Sequence, residues 1–187
     1  MAVKNSNFYK FREILKSKGL AKSNLMDVEI TPCKLMKSEY ANFVEGLKFK
    51  CEDAELPGKT FEVSNVKDYV IDRTHVLGVT YADLNLTFLC SSNMEERKFF
   101  DVWMENIIGT NTKRVSYYDD YVSDIKINLY TGRIASNAKP EKSCMFTIKN
   151  AYPVAITAQD MSWDSEGILK LTVNFNYEKW EVEYYQN

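Results

Sequence analysis

From Asn24 onward, apolar and polar residues alternate along most of the chain. In "NLMDVEIT" (Asn24–Thr31), Met26, Val28 and Ile30 oppose Leu25, Asp27 and Glu29. "LKFKCEDAEL" (Leu47–Leu56), "KTFEVSNV" (Lys59–Val66) and "HVLGVTY" (His75–Tyr81) are further candidate strands. "ADLNLTFLC" (Ala82–Cys90) sets Leu84, Leu86, Phe88 and Cys90 against Asp83, Asn85, Thr87 and Leu89. "YVSDIKINLYT" (Tyr121–Thr131) groups Ile125, Ile127 and Leu129 opposite Lys126, Asn128 and Tyr130, and "SCMFTIKN" and "YPVAITA" continue the pattern. The longest run, "ILKLTVNFNYEKW" (Ile168–Trp180), aligns Leu169, Leu171, Val173, Phe175 and Tyr177 against Lys170, Thr172, Asn174, Asn176 and Glu178. A period of two means strands with one face on a core and the other in water.

Two stretches follow a helical period instead. In "SSNMEERKFFDVWMENIIG" (Ser91–Gly109), Phe99, Phe100, Trp103, Met104 and Ile107 form one apolar stripe. Ser92-x-x-Glu95 reads as a capping box and Gly109 as a left-handed stop. Residues 1–24 place Phe8, Phe11 and Leu15 at helical spacing, with Ile14 beside them. Lys4, Lys10, Arg12, Lys16, Lys18 and Lys22 face the single acid Glu13. This predicts an amphipathic arm ending near Gly19, either a surface helix or an arm that docks on a neighbouring subunit. "TGRIASNAKPEKS" (Thr131–Ser143) reads as a surface loop. The expected fold is mainly β, an antiparallel barrel or sandwich of about eight or nine strands. One packed helix covers about residues 91–108. The arm spans residues 1–24 and a single β domain residues 25–187.

Composition narrows the function. The 187 residues are 45% hydrophobic, enough for one domain with a real core and too apolar for a disordered chain. Lys and Arg number 24 against 26 Asp and Glu, a net charge of −2. A protein that grips nucleic acid through its phosphates needs a marked basic excess, so tight binding of that kind is not expected. The start "MAVKNSNFYKFREILK" lacks the apolar core of a secretory signal, so Cys33, Cys51, Cys90 and Cys144 are read as free thiols of a reducing cytoplasm. No run of 18 apolar residues suggests a membrane helix.

Catalytic chemistry finds little support. His75 is the only histidine, with no Gly-x-Ser-x-Gly motif and no cysteine near it in sequence. One histidine and four scattered cysteines lack zinc-ligand spacing. "DMSWDSEG" (Asp160–Gly167) starts like a calcium loop, but Ser165 stands where glycine is needed and Leu171 where glutamate is needed. The seven glycines form no phosphate-binding loop. "YYDDYVSD" (Tyr117–Asp124) combines aromatic and acidic residues, so a carbohydrate- or protein-binding module using Tyr118 is one alternative; a hydrolase using His75 is a weaker one. No cofactor or metal is expected.

"FKCEDAELPGKTFEV" (Phe49–Val63) sets three acids before Leu-Pro-Gly. Strict alternation puts Cys51, Asp53 and Glu55 on one side and Glu52, Ala54 and Leu56 on the other. With acids on both sides, the segment is a poor candidate for burial inside one domain. Pro57 lacks an amide donor and belongs at an edge or bend, and Gly58 eases the turn. The expectation is a projecting hairpin edge whose interface residues are Glu52, Asp53, Glu55, Leu56, Pro57, Gly58, Lys59 and Phe61.

Taken in order, "NLMDVEI", "FKCEDAELPGKTFEV", "LNLTFLCSSNMEERKFFDVWMENI" and "YPVAITAQDMSWDSEGILKLTVNFNYEKW" resemble the tail tube proteins of contractile-tailed bacteriophages. The likeness covers most of Asn24 to Trp180. It implies a β-barrel or sandwich with a flanking helix, related in fold to type VI secretion tube proteins. It also implies hexameric rings stacked into a tube in the virion tail, assembled in the host cytoplasm. The implied partners are the tail sheath protein, the tape measure protein, and baseplate and tail terminator proteins, with genomic DNA passing through without tight binding. On that reading Lys170, Thr172, Asn174 and Asn176 face the lumen. The basic arm and the tail "EVEYYQN" look longer than the common pattern, which keeps a tube initiator or tail-completion relative open.

Overall fold

The computed structural model describes residues 10, 12–13, 21–36, 39–68, 71–110, 113–134, 140–164 and 166–185. The longest strand, β7 (Pro140–Ile156), belongs to two sheets. Its earlier part lies between β6 (Ser123–Ile134) and β9 (Lys179–Tyr184), and β6 also pairs with β1 (Met26–Ile30). From Tyr152 on, β7 pairs with β8 (Lys170–Asn176), which continues through β5 (Leu84–Leu89) to β2 (Cys51–Ala54). All these pairings are antiparallel, so the layers are sandwich-like and share β7 rather than closing into a barrel. A separate two-stranded hairpin, β3 (Lys59–Asp68) and β4 (Ile71–Tyr81), is inserted between β2 and β5.

The switch between layers occurs at one corner. Asn150 adopts a left-handed backbone (φ 54°), which asparagine tolerates far better than a branched residue. A second irregularity at Pro153/Ala155 completes the bend. Beside it, the short link Tyr177–Glu178 carries the chain from β8 in one layer to β9 in the other. Asn150 Nδ2 donates to Glu178 Oε2 (2.5 Å), and Glu178 N donates to the Lys149 carbonyl (3.1 Å). The run read as one strand over Ile168–Trp180 is therefore two strands in different sheets. Leu171, Val173, Phe175 and Tyr177 are buried, as their alternation predicts.

The core lies between the layers. Leu84, Leu86, Phe88, Leu171, Val173 and Phe175 come from one sheet, and Ile125, Ile127 and Ile148 from the other. Helix α2 follows α1 (Glu39–Lys48) in the chain and spans Glu95–Ile107. Its Phe99, Phe100 and Trp103 are fully buried, contributing roughly 1.5–3 kcal/mol each. Phe100 packs against Phe88 and Phe175, with centroids 5.2 and 6.0 Å apart, and Phe99 meets Phe43 of α1 at 5.7 Å. Trp103 Nε1 donates to the carbonyl of Tyr121 (2.8 Å), the last residue of the short helix α3 (Tyr118–Tyr121).

Four local expectations are corrected. Residues 39–48 form α1, so Leu47 and Lys48 end a helix rather than begin a strand. Tyr40, Phe43, Val44 and Leu47 recur at helical spacing, but Gly46 weakens the pattern, at about 1 kcal/mol relative to alanine. Of the supposed loop 131–143, the described residues are strand, with β6 ending at Ile134 and β7 starting at Pro140; residues 135–139 lie outside the described residues. No capping box forms at α2: Met94 is the left-handed N-cap and makes no side-chain cap bond. The helix ends at extended Ile108 (φ −134°) rather than at a left-handed Gly109. Of the N-terminal arm, Lys10, Arg12 and Glu13 have helical backbone and residues 21–24 are exposed coil and turn; the others lie outside the described residues.

Fully buried Glu96 replaces the capping box. It accepts from Ser91 N (2.9 Å), from Ser91 Oγ (2.6 Å) and from Lys50 Nζ, just ahead of β2. Burial alone raises its pKa; the Lys50 and Ser91 donors outweigh that and bring the carboxyl from 4.5 down to about 2.

Two tests follow from these anchors. Asn150→Val destabilises the fold by roughly 1–2 kcal/mol in urea unfolding; Asn150→Gly keeps the left-handed backbone and loses only the bond to Glu178, at a smaller cost of about 0.5–1.5 kcal/mol. The folded pKa of Glu96 lies below its unfolded value, so its contribution is complete above about pH 4.5 and lost as pH falls toward 2. Glu96→Gln flattens that acid limb and costs about 2 kcal/mol at neutral pH, read from urea midpoints across the acid range.

Candidate functional site

The acidic edge is organised by a β-bulge. Cys51 pairs with Phe88 and Asp53 with Thr87, leaving Glu52 as the extra residue. The bulge breaks strict alternation: Cys51 and Ala54 pack against the core, while Glu52, Asp53 and Glu55 are exposed. Acids do not occupy both sides of the strand, contrary to the simple pattern. Burial, reinforced by the Asp53 charge, pushes the Cys51 thiol up to about 12, so it stays protonated. All four cysteines are free thiols.

The outward side chains of β2, β5 and β8 form a polar ladder. Lys170 Nζ donates to Glu52 Oε1 (2.7 Å), and Asn85 Nδ2 donates to Glu55 Oε2 (2.8 Å). Asn174 Nδ2 donates to Asn85 Oδ1 (3.0 Å), and the Thr87 and Thr172 hydroxyls lie 3.0 Å apart. Asn176 stands exposed at the end of β8. The structure thus brings Glu52 and Glu55 onto the same sheet face as Lys170, Thr172 and Asn174, residues far apart in sequence. The other sheet's outer face holds a denser network. There Asp27 accepts from Asn128 Nδ2 (2.6 Å), Tyr130 Oη (2.5 Å) and Lys48 Nζ (3.2 Å). Burial raises the Asp27 pKa, but these donors outweigh it and leave the carboxyl below its ordinary value.

Leu-Pro-Gly links the ladder to the hairpin. Pro57 is buried between strands, where its missing N–H breaks no sheet ladder, and Leu56 is exposed. Gly58 has no left-handed backbone and room for a methyl group, 3.6 Å from Ala82 Cβ, so the turn does not depend on glycine. In the hairpin, Phe61 pairs with Val79 and Val63 with Val76, across a shift at Glu62/Val63. These four residues share one face, and all are exposed, Phe61 by 53% and Val76 by 61%. Lys59 Nζ lies 5.4 Å from the Phe61 ring centre. The opposite face is polar, with Thr80 Oγ1 donating to Glu62 Oε1 (2.9 Å).

The remaining sequence candidates disperse. His75 lies exposed on the hairpin's polar side, opposite Ser64. Among the described residues no group of His, Cys, Asp and Glu could hold a metal ion. Tyr118, Tyr121 and Tyr152 pack edge-to-face on one another, with centroids 5.4–6.3 Å apart. The connection between β7 and β8, which holds the segment that starts like a calcium loop, displays exposed Met161, Trp163 and Ile168. Three large apolar residues among Asp, Ser and Gly were the available signal. No helix among the described residues is long and apolar enough to cross a membrane.

A family model described as phage tail tube protein matches residues 21–183. No curated protein matches the chain in sequence. In structure, the chain is similar to one in the sheath–tube complex of an extracellular contractile injection system, PVC, in the extended state. That match has a TM-score of 0.65 and 13% identity, and covers 92% of this chain and 97% of that one. A chain of the anti-feeding prophage baseplate, 6-fold symmetrised, matches at TM-score 0.61 and 14% identity, covering 88% and 96%. A chain of the anti-feeding prophage tube-terminating cap matches at TM-score 0.60 and 12% identity, covering 89% and 92%.

Proposed function

The chain belongs to the phage tail tube protein family, and from that premise we propose that it is a structural subunit whose copies form hexameric rings stacked into the conduit for genome delivery. The single observation that carries the assembly reading is the hairpin: an apolar face left exposed on an insertion beside the β2 edge. The interface runs through Glu52, Asp53, Glu55, Leu56, Pro57, Gly58, Lys59 and Phe61. A six-fold symmetrised baseplate among the fold relatives supports the ring number.

Lys170, Thr172, Asn174 and Asn176 line the lumen in this reading. Their ladder presents amides and hydroxyls, and its one lysine is paired with Glu52. Each phosphate neutralised by a free cation would add affinity, so a paired lysine suits a wall that DNA slides past. The tape measure protein and then DNA occupy the bore. The sheath, a terminator and a baseplate meet the outer surface and the ends, as the sheath–tube, cap and baseplate relatives suggest. The subunit acts by geometry rather than catalysis, in a virion tail assembled in the host cytoplasm.

The matches to baseplate and cap chains favour a second reading on the same fold, a tube initiator or tail-completion subunit. Negative-stain microscopy of the purified protein, alone and with sheath and baseplate proteins, separates the two. Long stacked tubes support the tube subunit; assembly that stops at one ring supports the initiator. A monomer under every condition removes both. Replacing Glu52 and Glu55 together with alanine shifts the concentration needed for assembly by a few-fold and changes its salt dependence, since exposed charge pairs are worth about 0.2–1 kcal/mol each. Unchanged assembly at all salt concentrations counts against the proposed edge.

A further inference from the structure

Two exposed apolar elements stand at opposite ends of one sheet. β5 pairs with β8 from Leu84↔Phe175 at one end to Leu89↔Lys170 at the other, a span of about 17 Å at 3.4 Å per residue. β2 runs from Cys51 opposite Phe88 to Ala54 opposite Leu86, so the hairpin leaves the sheet at the Leu84 end. The connection between β7 and β8 leaves from Ile156 opposite Val173 and returns at Lys170, at the Leu89 end.

That connection is held in place. Gln159 Nε2 donates to the Lys170 carbonyl (2.8 Å), and Gln159 Oε1 accepts from Arg97 Nη1 (3.0 Å) on α2. Thr157 N donates to the Thr172 carbonyl (2.9 Å). Beyond these anchors Trp163 is fully exposed, with exposed Met161 before it and Ile168 after it. A tethered loop that presents a bare indole loses little freedom on docking, and tryptophan is enriched among residues that dominate interface energy.

We propose that the Trp163 loop of one subunit packs on the apolar hairpin face (Phe61, Val63, Val76, Val79) of the next subunit along the stack. This rests on the tube-subunit reading and names the surface that receives the hairpin. Surfaces at opposite ends of one subunit meet head to tail, and a heterologous contact of that kind propagates into a filament rather than closing as a two-fold dimer. Charge agrees with the pairing. Between Thr157 and Leu169 the loop carries Asp160, Asp164 and Glu166 and no base. The hairpin face carries Lys59 over Phe61.

Two measurements test it. Trp163→Ala leaves single rings intact and raises the concentration needed for stacked tubes by about tenfold; because the side chain is exposed, the thermal melt stays that of the parent. Val76→Cys protein mixed with Trp163→Cys protein and oxidised gives a mixed cross-linked dimer that neither variant gives alone. Tubes that assemble normally in Trp163→Ala, with no mixed cross-link, overturn the loop–hairpin contact and leave the tube reading standing. A parent protein that forms neither rings nor tubes overturns both.

Discussion

The hydrogen bond from Asn150 to Glu178 joins the two places where the chain passes from one sheet to the other. Without a left-handed residue at position 150, β7 would run straight on in the first sheet, and β8 would lack its partner from Tyr152 onward. Without the short Tyr177–Glu178 link, β9 could not return to pair with β7 through Cys144–Lys149. The same corner therefore sets the registers of β7, β8 and β9, and through β8 the placement of β5 and β2. Lys149 strengthens it by pairing with Asp124 of β6 (2.6 Å).

Packing fills the space this corner defines. The aromatic stripe of α2 lies against Phe88 and Phe175, so the helix and the ladder-bearing sheet share one core. A buried carboxylate is costly unless fully satisfied, and Glu96 is satisfied by Lys50 and Ser91. Lys50 sits one residue before β2. The start of the helix and the start of the edge strand are thereby tied to the same charge, and the edge is held by the core rather than by its own short pairing.

The buried faces of β5, β6 and β8 could be read from alternation alone because each has one side in the core and one side out. The stripe of α2 was legible for the same reason at a different period. What sequence spacing could not show was where a strand breaks its own rule. One extra residue at Glu52 moved three acids to one side, and one left-handed residue at Asn150 sent a strand into a second sheet. Tyr177–Glu178 hid a change of sheet inside an unbroken alternation. The helix at residues 39–48 carried a readable stripe, but Gly46 and the flanking "LKFKCEDAEL" pattern competed with it. Of the candidate site, the acids, the Leu-Pro-Gly link and the polar positions of β8 were all visible. Their meeting on one face was not, since Lys170 and Glu52 lie 118 residues apart.

The bulge at Glu52 also sets the charge presented by the sheet's β2 edge. An unpaired edge is a template for any passing chain, its own copies included. Two β2 edges meeting about a two-fold axis would set Glu52, Asp53 and Glu55 of one copy against the same acids of the other, and like charges directly opposite are destabilising. On the proposed assembly, Asp53 and Glu55, with Glu52 already paired to Lys170, would disfavour this symmetric self-pairing, which ends growth at a dimer, relative to a strand of different composition. A bulge of one residue would thus give the edge a direction.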